Sequence, residues 1–318
     1  MVSHETMRET RVISALKRYA LEVLVAVRPP DLPGLPALME AYAAAGVTLA
    51  LWPMLGDEQG RWANVNNAPV FCDFVRRTIE PLEARGLAPG EIVFDLEPDI
   101  AEVSTLFSRV HHDGPVRRPW GTPARAAIAR SEFERLLREL HTSRIRATAT
   151  VVPLVLLESE RSGRGLWQRA MGTPIDGLRW DHVNVMLYSS MFEGWSLNTM
   201  RRTDTLGLLA AFCTATRERF GTNASVSLGA VGVGALGDEP TYRAVRELAE
   251  DVAVARACGI DDLALFDLGG VLSRAPMESW LHAFTETPSR SGELPGTWRS
   301  GAAMSGGRWV TRLLGLIP

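Results

Sequence analysis

Two carboxylates, Asp95 and Glu97, stand two residues apart in Ile92-Val93-Phe94-Asp95-Leu96-Glu97-Pro98-Asp99. On an extended strand successive side chains alternate faces, so the pair shares one face, about 6.5–7 Å apart at the backbone. Pro98 cannot donate to a ladder and should end the strand, leaving Glu97 at its C-terminal tip. Crowded carboxyls on a buried face raise each other's cost of ionisation. One then keeps its proton near neutrality and serves as an acid while the other stays charged. The competing structural reading pairs these acids with Arg28 or another arginine.

Such a pair needs a frame, and the chain supplies a repeating one. β-rich runs at 21–28, 47–52, 91–97, 145–153, 182–188, 225–231 and 262–268 alternate with helical segments. Pro123 after Thr122, and Pro240 after Asp238-Glu239, read as helix openings, while Gly86 and Gly259 read as helix ends. Strand–helix alternation predicts a parallel sheet under helices. Polar and apolar residues alternate within the strands, as in Val183, Val185 and Leu187 against Asn184, Met186 and Tyr188. That favours an α/β barrel of the (β/α)8 TIM type over an open sheet, whose strands would be apolar on both faces. Seven strands are countable; the eighth is either near Arg11 to Leu16, or degenerate, or missing. The expected organisation is an N-terminal helical segment over 1–20, the barrel over 21–288 and a loose C-terminal tail over 289–318.

In that frame Asp95-Leu96-Glu97 resembles the end of the D-x-x-D-x-D-x-E signature of family 18 (chitinase-like) glycoside hydrolases, and Met186-Leu187-Tyr188 resembles their M-x-Y. The resemblance implies Glu97 as the acid and Asp95 as the residue orienting the substrate's acetamido group. It also implies Tyr188 as a hydrogen-bonding partner and that acetamido group as nucleophile. Three positions depart from the pattern. Val93 stands where the family has a further aspartate, Ser189 follows M-x-Y, and the last-strand tryptophan position reads Phe266 or Asp267.

The remaining site candidates are a binding set. Arg28, Trp52, Tyr188 and Asp267 fall at strand ends, Asn184 lies within its strand, and Trp195 lies in a following loop. The loop 56–67 contributes Trp62, Asn64 and Asn67 as stacking and hydroxyl-recognising groups. A competing signal is the glycine-rich 229–237 with Gly269-Gly270, since loops after late barrel strands bind phosphate through backbone N–H groups. With Mg²⁺ held by Asp95, Glu97, Asp99 and Asp267, the site would take a phosphate or diphosphate; otherwise no metal and no cofactor is expected. His111 and His112 are adjacent in a loop with Trp120, a poor arrangement for one metal ion.

Composition removes other chemistries. In 318 residues, 46% hydrophobic and 22% charged, the net charge is −3 with no basic block, which argues against nucleic acid as a partner. Lys17 is the only lysine and precedes the first strand, so Schiff-base and pyridoxal-phosphate chemistry is excluded. Cys72, Cys213 and Cys258 are too few and scattered for a disulfide frame or zinc motif, and the first two read as buried apolar residues. No export signal or membrane-spanning run is legible, so a cytoplasmic protein acting on a small molecule is expected, in an oligomeric state the sequence leaves open. Three functions fit: a glycoside hydrolase-like enzyme acting on a small glycoside or amino-sugar conjugate; an acid-initiated or Mg-dependent lyase, isomerase or cyclase; and a non-catalytic binding barrel.

Overall fold

A computed structural model of the chain describes residues 2–100, 122–158, 165–196, 199–234, 237 and 239–314. His111, His112 and Trp120 lie outside the described residues. The chain divides into two compact units, residues 3–151 with 165–181, and residues 152–164 with 182–318.

The first unit carries β1 (Val23–Val27), β2 (Leu49–Pro53), β3 (Glu91–Leu96) and β4 (Arg146–Val151), each parallel to the next. Its helices are α1 (His4–Met7), α2 (Thr10–Arg18), α3 (Leu35–Ala45), α4 (Ala68–Glu83), α5 (Pro123–Thr142) and α6 (Leu166–Met171). Thr122 caps α5 by accepting from the N–H of Arg125 at 3.3 Å. The stretch from Arg11 to Leu16, a candidate for an eighth strand, is part of α2: Val12, Ala15 and Leu16 recur at helical spacing and are buried. Among the described residues there are seven strands, so a full eight-stranded barrel is not present.

Packing fixes the phase of β3. Phe94 is fully buried among Phe71 of α4, Phe133 of α5 and Trp180, with ring centroids 5.8, 6.2 and 5.1 Å away. With Phe94 under the helices, the strand's two-residue period turns Val93 and Asp95 to the opposite face.

The second unit carries β5 (His182–Leu187), β6 (Ala224–Gly229) and β7 (Asp262–Phe266), again parallel and in chain order. Its helices are α7 (Ser189–Trp195), α8 (Arg202–Phe220), α9 (Val245–Ala257), α10 (Leu268–Ser273), α11 (Met277–Glu286) and α12 (Trp298–Leu314). Two expectations fail here. Pro240 opens no helix; its carbonyl accepts from the Ser190 hydroxyl at 2.7 Å, and α9 starts at Val245. The segment expected as a loose tail includes α12, which packs on α8 and buries Ser300, Met304 and Thr311, a stripe at helical spacing. Among the described residues no helix is long and apolar enough to cross a membrane.

The glycines after the late strands serve backbone approach. A Cβ at Gly270 would lie 2.1 Å from the Gly232 nitrogen and 2.5 Å from the Val231 carbonyl carbon, both backbone atoms that cannot swing aside. The start of α10 is already capped by Asp267, whose Oδ1 accepts from Gly270 N–H at 2.8 Å. That backbone N–H is therefore already engaged within the chain. Gly270→Ala is expected to destabilise the chain by about 1–3 kcal/mol, read as a lower urea midpoint at unchanged slope. Wild-type stability in this variant would show that the two backbones are free to separate.

Candidate active site

The acid pair sits where β3 ends, and three elements brace it. On one side β4 pairs in register, Asp95 opposite Thr150. On the other, β2 pairs with β3 only through Ala50 and Leu51. Beyond that point the loop after β2 takes its place, with Ala63 N–H donating to the Asp95 carbonyl at 2.9 Å and Ala63 bridging Leu96. Asn64 then reaches the end of the strand, its Nδ2 donating to the Glu97 carbonyl at 3.3 Å and to the Trp62 carbonyl at 3.1 Å. The backbones of both acids are thereby fixed by one turn of the loop.

That turn uses the asparagines expected to recognise substrate. Asn67 Oδ1 accepts from the Asn64 N–H at 3.0 Å, and its Nδ2 donates to the carbonyls of Trp62 and Gln59 at 2.7 and 2.9 Å. Asn64 Oδ1 accepts from the Asn66 N–H at 2.9 Å. Both amides are buried and hold the turn. Trp62 is likewise buried, under the Arg61 guanidinium at 5.5 Å, and Arg61 is tied to Asp57 at 2.7 Å. The Asn-x-x-Asn spacing ahead of a helix was a legible sign, since short amides bond their own backbone in turns.

Asp95 is 4% exposed, whereas Glu97 is half-buried at the strand's end. Burial pushes the Asp95 carboxyl well above the usual carboxylate range. The charge of Glu97 and a hydrogen bond shared with it push the same way, and a hydrogen bond from the Trp52 indole opposes them. Asp95 therefore holds a proton more tightly than an ordinary carboxyl, with Glu97 as its charged neighbour. Asp95 Oδ1 is buried and has no hydrogen-bond partner among the described residues. Arg28, the partner that a structural ion pair would use, is exposed and binds Asp31 at 3.4 Å.

This arrangement has a stability signature. Between the unfolded carboxyl value of about 4 and the raised folded value, the native state binds the extra proton. Stability should fall as pH rises through that window, by up to about 1.4 kcal/mol per pH unit for one proton. Asp95→Asn keeps a group able to donate to Glu97 and removes the titration. The variant is expected to be more stable than wild type above that window, the gap in Tm widening with pH; parallel pH–Tm curves would contradict the protonated assignment.

Further candidates belong to the second unit. There Tyr188 stacks on Phe266 at 5.3 Å with the rings 22° apart, over the site of Gly229, where a Cβ would meet the ring at 3.1 Å. Phe266, rather than Asp267, fills the last-strand ring position, because Asp267 caps α10. Asn184 donates to Ser225 Oγ at 2.7 Å and accepts from Ser227 Oγ at 2.6 Å across adjacent strands, so its amide is engaged in the sheet and not offered to a ligand. The Trp195 side chain lies outside the described residues. Among the described residues no three His, Cys, Asp or Glu side chains gather as a metal site.

No protein-family model and no curated protein matches the chain. Solved structures do. The PgaB (BpsB) glycoside hydrolase domain from Bordetella bronchiseptica superposes with a TM-score of 0.52 at 10% identity, over 88% of this chain and 93% of that one. A GH5_18 protein from Streptomyces cattleya, solved in complex with Manb1-4GlcNAc, gives 0.53 at 14% identity over 98% and 88%. A chitinase from Chromobacterium violaceum gives 0.50 at 12% identity over 87% and 95%. At such identities the likeness establishes a TIM-type α/β fold and nothing finer.

Proposed function

We propose that this chain is a glycoside hydrolase-like enzyme that cleaves small glycosides of acetamido sugars through the Asp95–Glu97 pair. One observation carries the reading: Asp95 is buried beside Glu97 at the end of β3, and burial together with that neighbour raises its carboxyl. Glycosidases that work with two opposed carboxylates hold them about 5–5.5 Å apart for retention and about 6.5–9.5 Å apart for inversion, leaving room for the sugar or a water between. Asp95 and Glu97, neighbours on one strand with one of them buried, are not an opposed pair of that kind. They fit an acid assisted by a neighbour, with the nucleophile supplied by the substrate itself.

In this reading Glu97, the less buried partner, hands the pair's proton to the glycosidic oxygen as the C–O bond breaks. The substrate's acetamido oxygen closes on the anomeric carbon, and Asp95 accepts a hydrogen bond from the acetamido N–H, for which its unpartnered oxygen is suited. Glu97, now ionised, takes a proton from the water that opens the cyclic intermediate. No metal or cofactor enters these steps. The lyase, isomerase and phosphate readings gain no observation of their own.

The test is hydrolysis of nitrophenyl glycosides that differ only in carrying acetamido or hydroxyl beside the anomeric carbon. Cleavage confined to the acetamido series supports the proposal. Equal cleavage of both would return the nucleophile to the protein, and turnover surviving Glu97→Gln would remove the pair from the chemistry.

A further inference from the structure

Cys213 lies within α8 and Cys258, 45 residues on, directly follows α9, yet they come together in the second unit. Cys258 follows the end of α9, and its Sγ lies on α8, 3.6 Å from the Ala210 carbonyl and 3.7 Å from Thr214 Oγ1. Positions 210, 213 and 214 share one face of a helix, so the Cys258 thiol rests on the turn that carries Cys213, and each thiol shifts the other's acidity. Cys213 is fully buried, whereas Cys258 is partly exposed. The buried thiol is thus reached through the accessible one.

We propose that Cys213 and Cys258 form a peroxide-oxidisable dithiol that closes to a reversible disulfide in the folded chain. The polarity of the pair sets the order of events. The hydrogen bond from Cys213 lowers the Cys258 thiol to about 7 against the opposing effect of burial, with Thr214 assisting, while Cys213 is raised well above its usual value. Cys258 is therefore the thiolate that meets an oxidant at neutral pH. It attacks a hydroperoxide, forming S–OH as the O–O bond breaks and the departing oxygen leaves as hydroxide or alkoxide. Cys213 sulfur then attacks Cys258 sulfur, the S–S bond forms, the S–O bond breaks, and the departing hydroxide takes the Cys213 proton as water. The two thiols are oxidised by two electrons and the peroxide is reduced. Cys72, buried in α4 with its thiol pushed up to about 12 by burial, has neither the charge nor the access to compete.

The test treats the folded wild-type chain with hydrogen peroxide, alkylates the remaining thiols and maps the digest without reductant. The expected product joins the Cys213 and Cys258 peptides, is two hydrogens lighter than their sum and disappears with dithiothreitol, while Cys72 stays a thiol. In Cys213→Ser the same treatment should stop at a dimedone-trapped sulfenic acid on Cys258. The proposal is overturned if wild-type Cys258 goes to sulfinic acid with no cross-link, or if both thiols still alkylate fully. The decisive readout is on the wild-type chain, so a variant that fails to fold does not blunt it, and no glycosidase activity enters it.

Discussion

Replacing Glu97 with Gln is expected to lower kcat on an acetamido-sugar glycoside by about 10²–10⁴-fold with little change in KM. The amide preserves size and the hydrogen bond to Asp95 but cannot release a proton to the leaving oxygen. The effect should shrink with the basicity of the leaving group, because a nitrophenolate departs with less protonation than an alkyl alcohol. The pH profile carries a second signature of the same pair. Asp95 holds its proton because it is buried beside Glu97. As pH rises through the raised carboxyl value the pair loses that proton, and activity should fall on the alkaline limb. Asp95→Asn should remove that limb along with most of the turnover while stabilising the fold, a divergence expected of a site that keeps an ionisable group in an unfavourable place. An Asp95→Asn enzyme with wild-type turnover would sink the assignment.

Asp251→Ala is expected to cost about 3–5 kcal/mol of stability, the largest effect of any single change considered for the second unit. The Asp251 carboxylate is fully buried, accepting from Ser189 Oγ at 2.5 Å, the Tyr242 hydroxyl at 2.6 Å and Arg202 at 2.7 Å. Arg202 also bonds Glu250 at 2.9 Å and the Glu247 carbonyl, so the cluster ties the end of β5 to α8 and α9. Burial raises the Asp251 carboxyl, and the charge of Arg202, with hydrogen bonds from Ser189 and Tyr242, draws it back. Removing the carboxylate strands two hydroxyls and one arm of a guanidinium away from water. A drop in Tm of order 10 °C should follow. A double change, Arg202→Met with Asp251→Leu, should cost less than Asp251→Ala alone, because no unpaired charge is left. Additive losses in the double variant would mean that the cluster acts as separate contacts.

Much of the frame was legible in the sequence because it depends on local regularities. The seven strand runs overlap β1 to β7 to within a few residues, since alternation and the punctuation at Gly86 and Gly259 are properties of short stretches. The exceptions are instructive. The apolar residues from Arg11 to Leu16 suit either a strand or a helix, and burial of Val12, Ala15 and Leu16 on one stripe decided for helix. The tail looked loose because its glycines and serines are poor helix formers, yet packing on α8 outweighs that propensity.

The sequence by itself determined that Asp95 and Glu97 share a face, that Pro98 follows them at the strand's tip, and that Lys17 is the only lysine. The strand's two-residue period and the residue inventory need no knowledge of distant neighbours. Tertiary structure alone raised the Asp95 carboxyl, because its desolvation depends on the depth at which packing sets the strand. It also engaged Asn64 and Asn67 in the turn that meets the Glu97 carbonyl, set Asp267 Oδ1 on the start of a helix, and brought Cys258 onto the turn that carries Cys213. A side chain's type states what it can donate or accept. Which partner it meets, and how dry the meeting is, is set by chain brought in from elsewhere, and no local pattern encodes it.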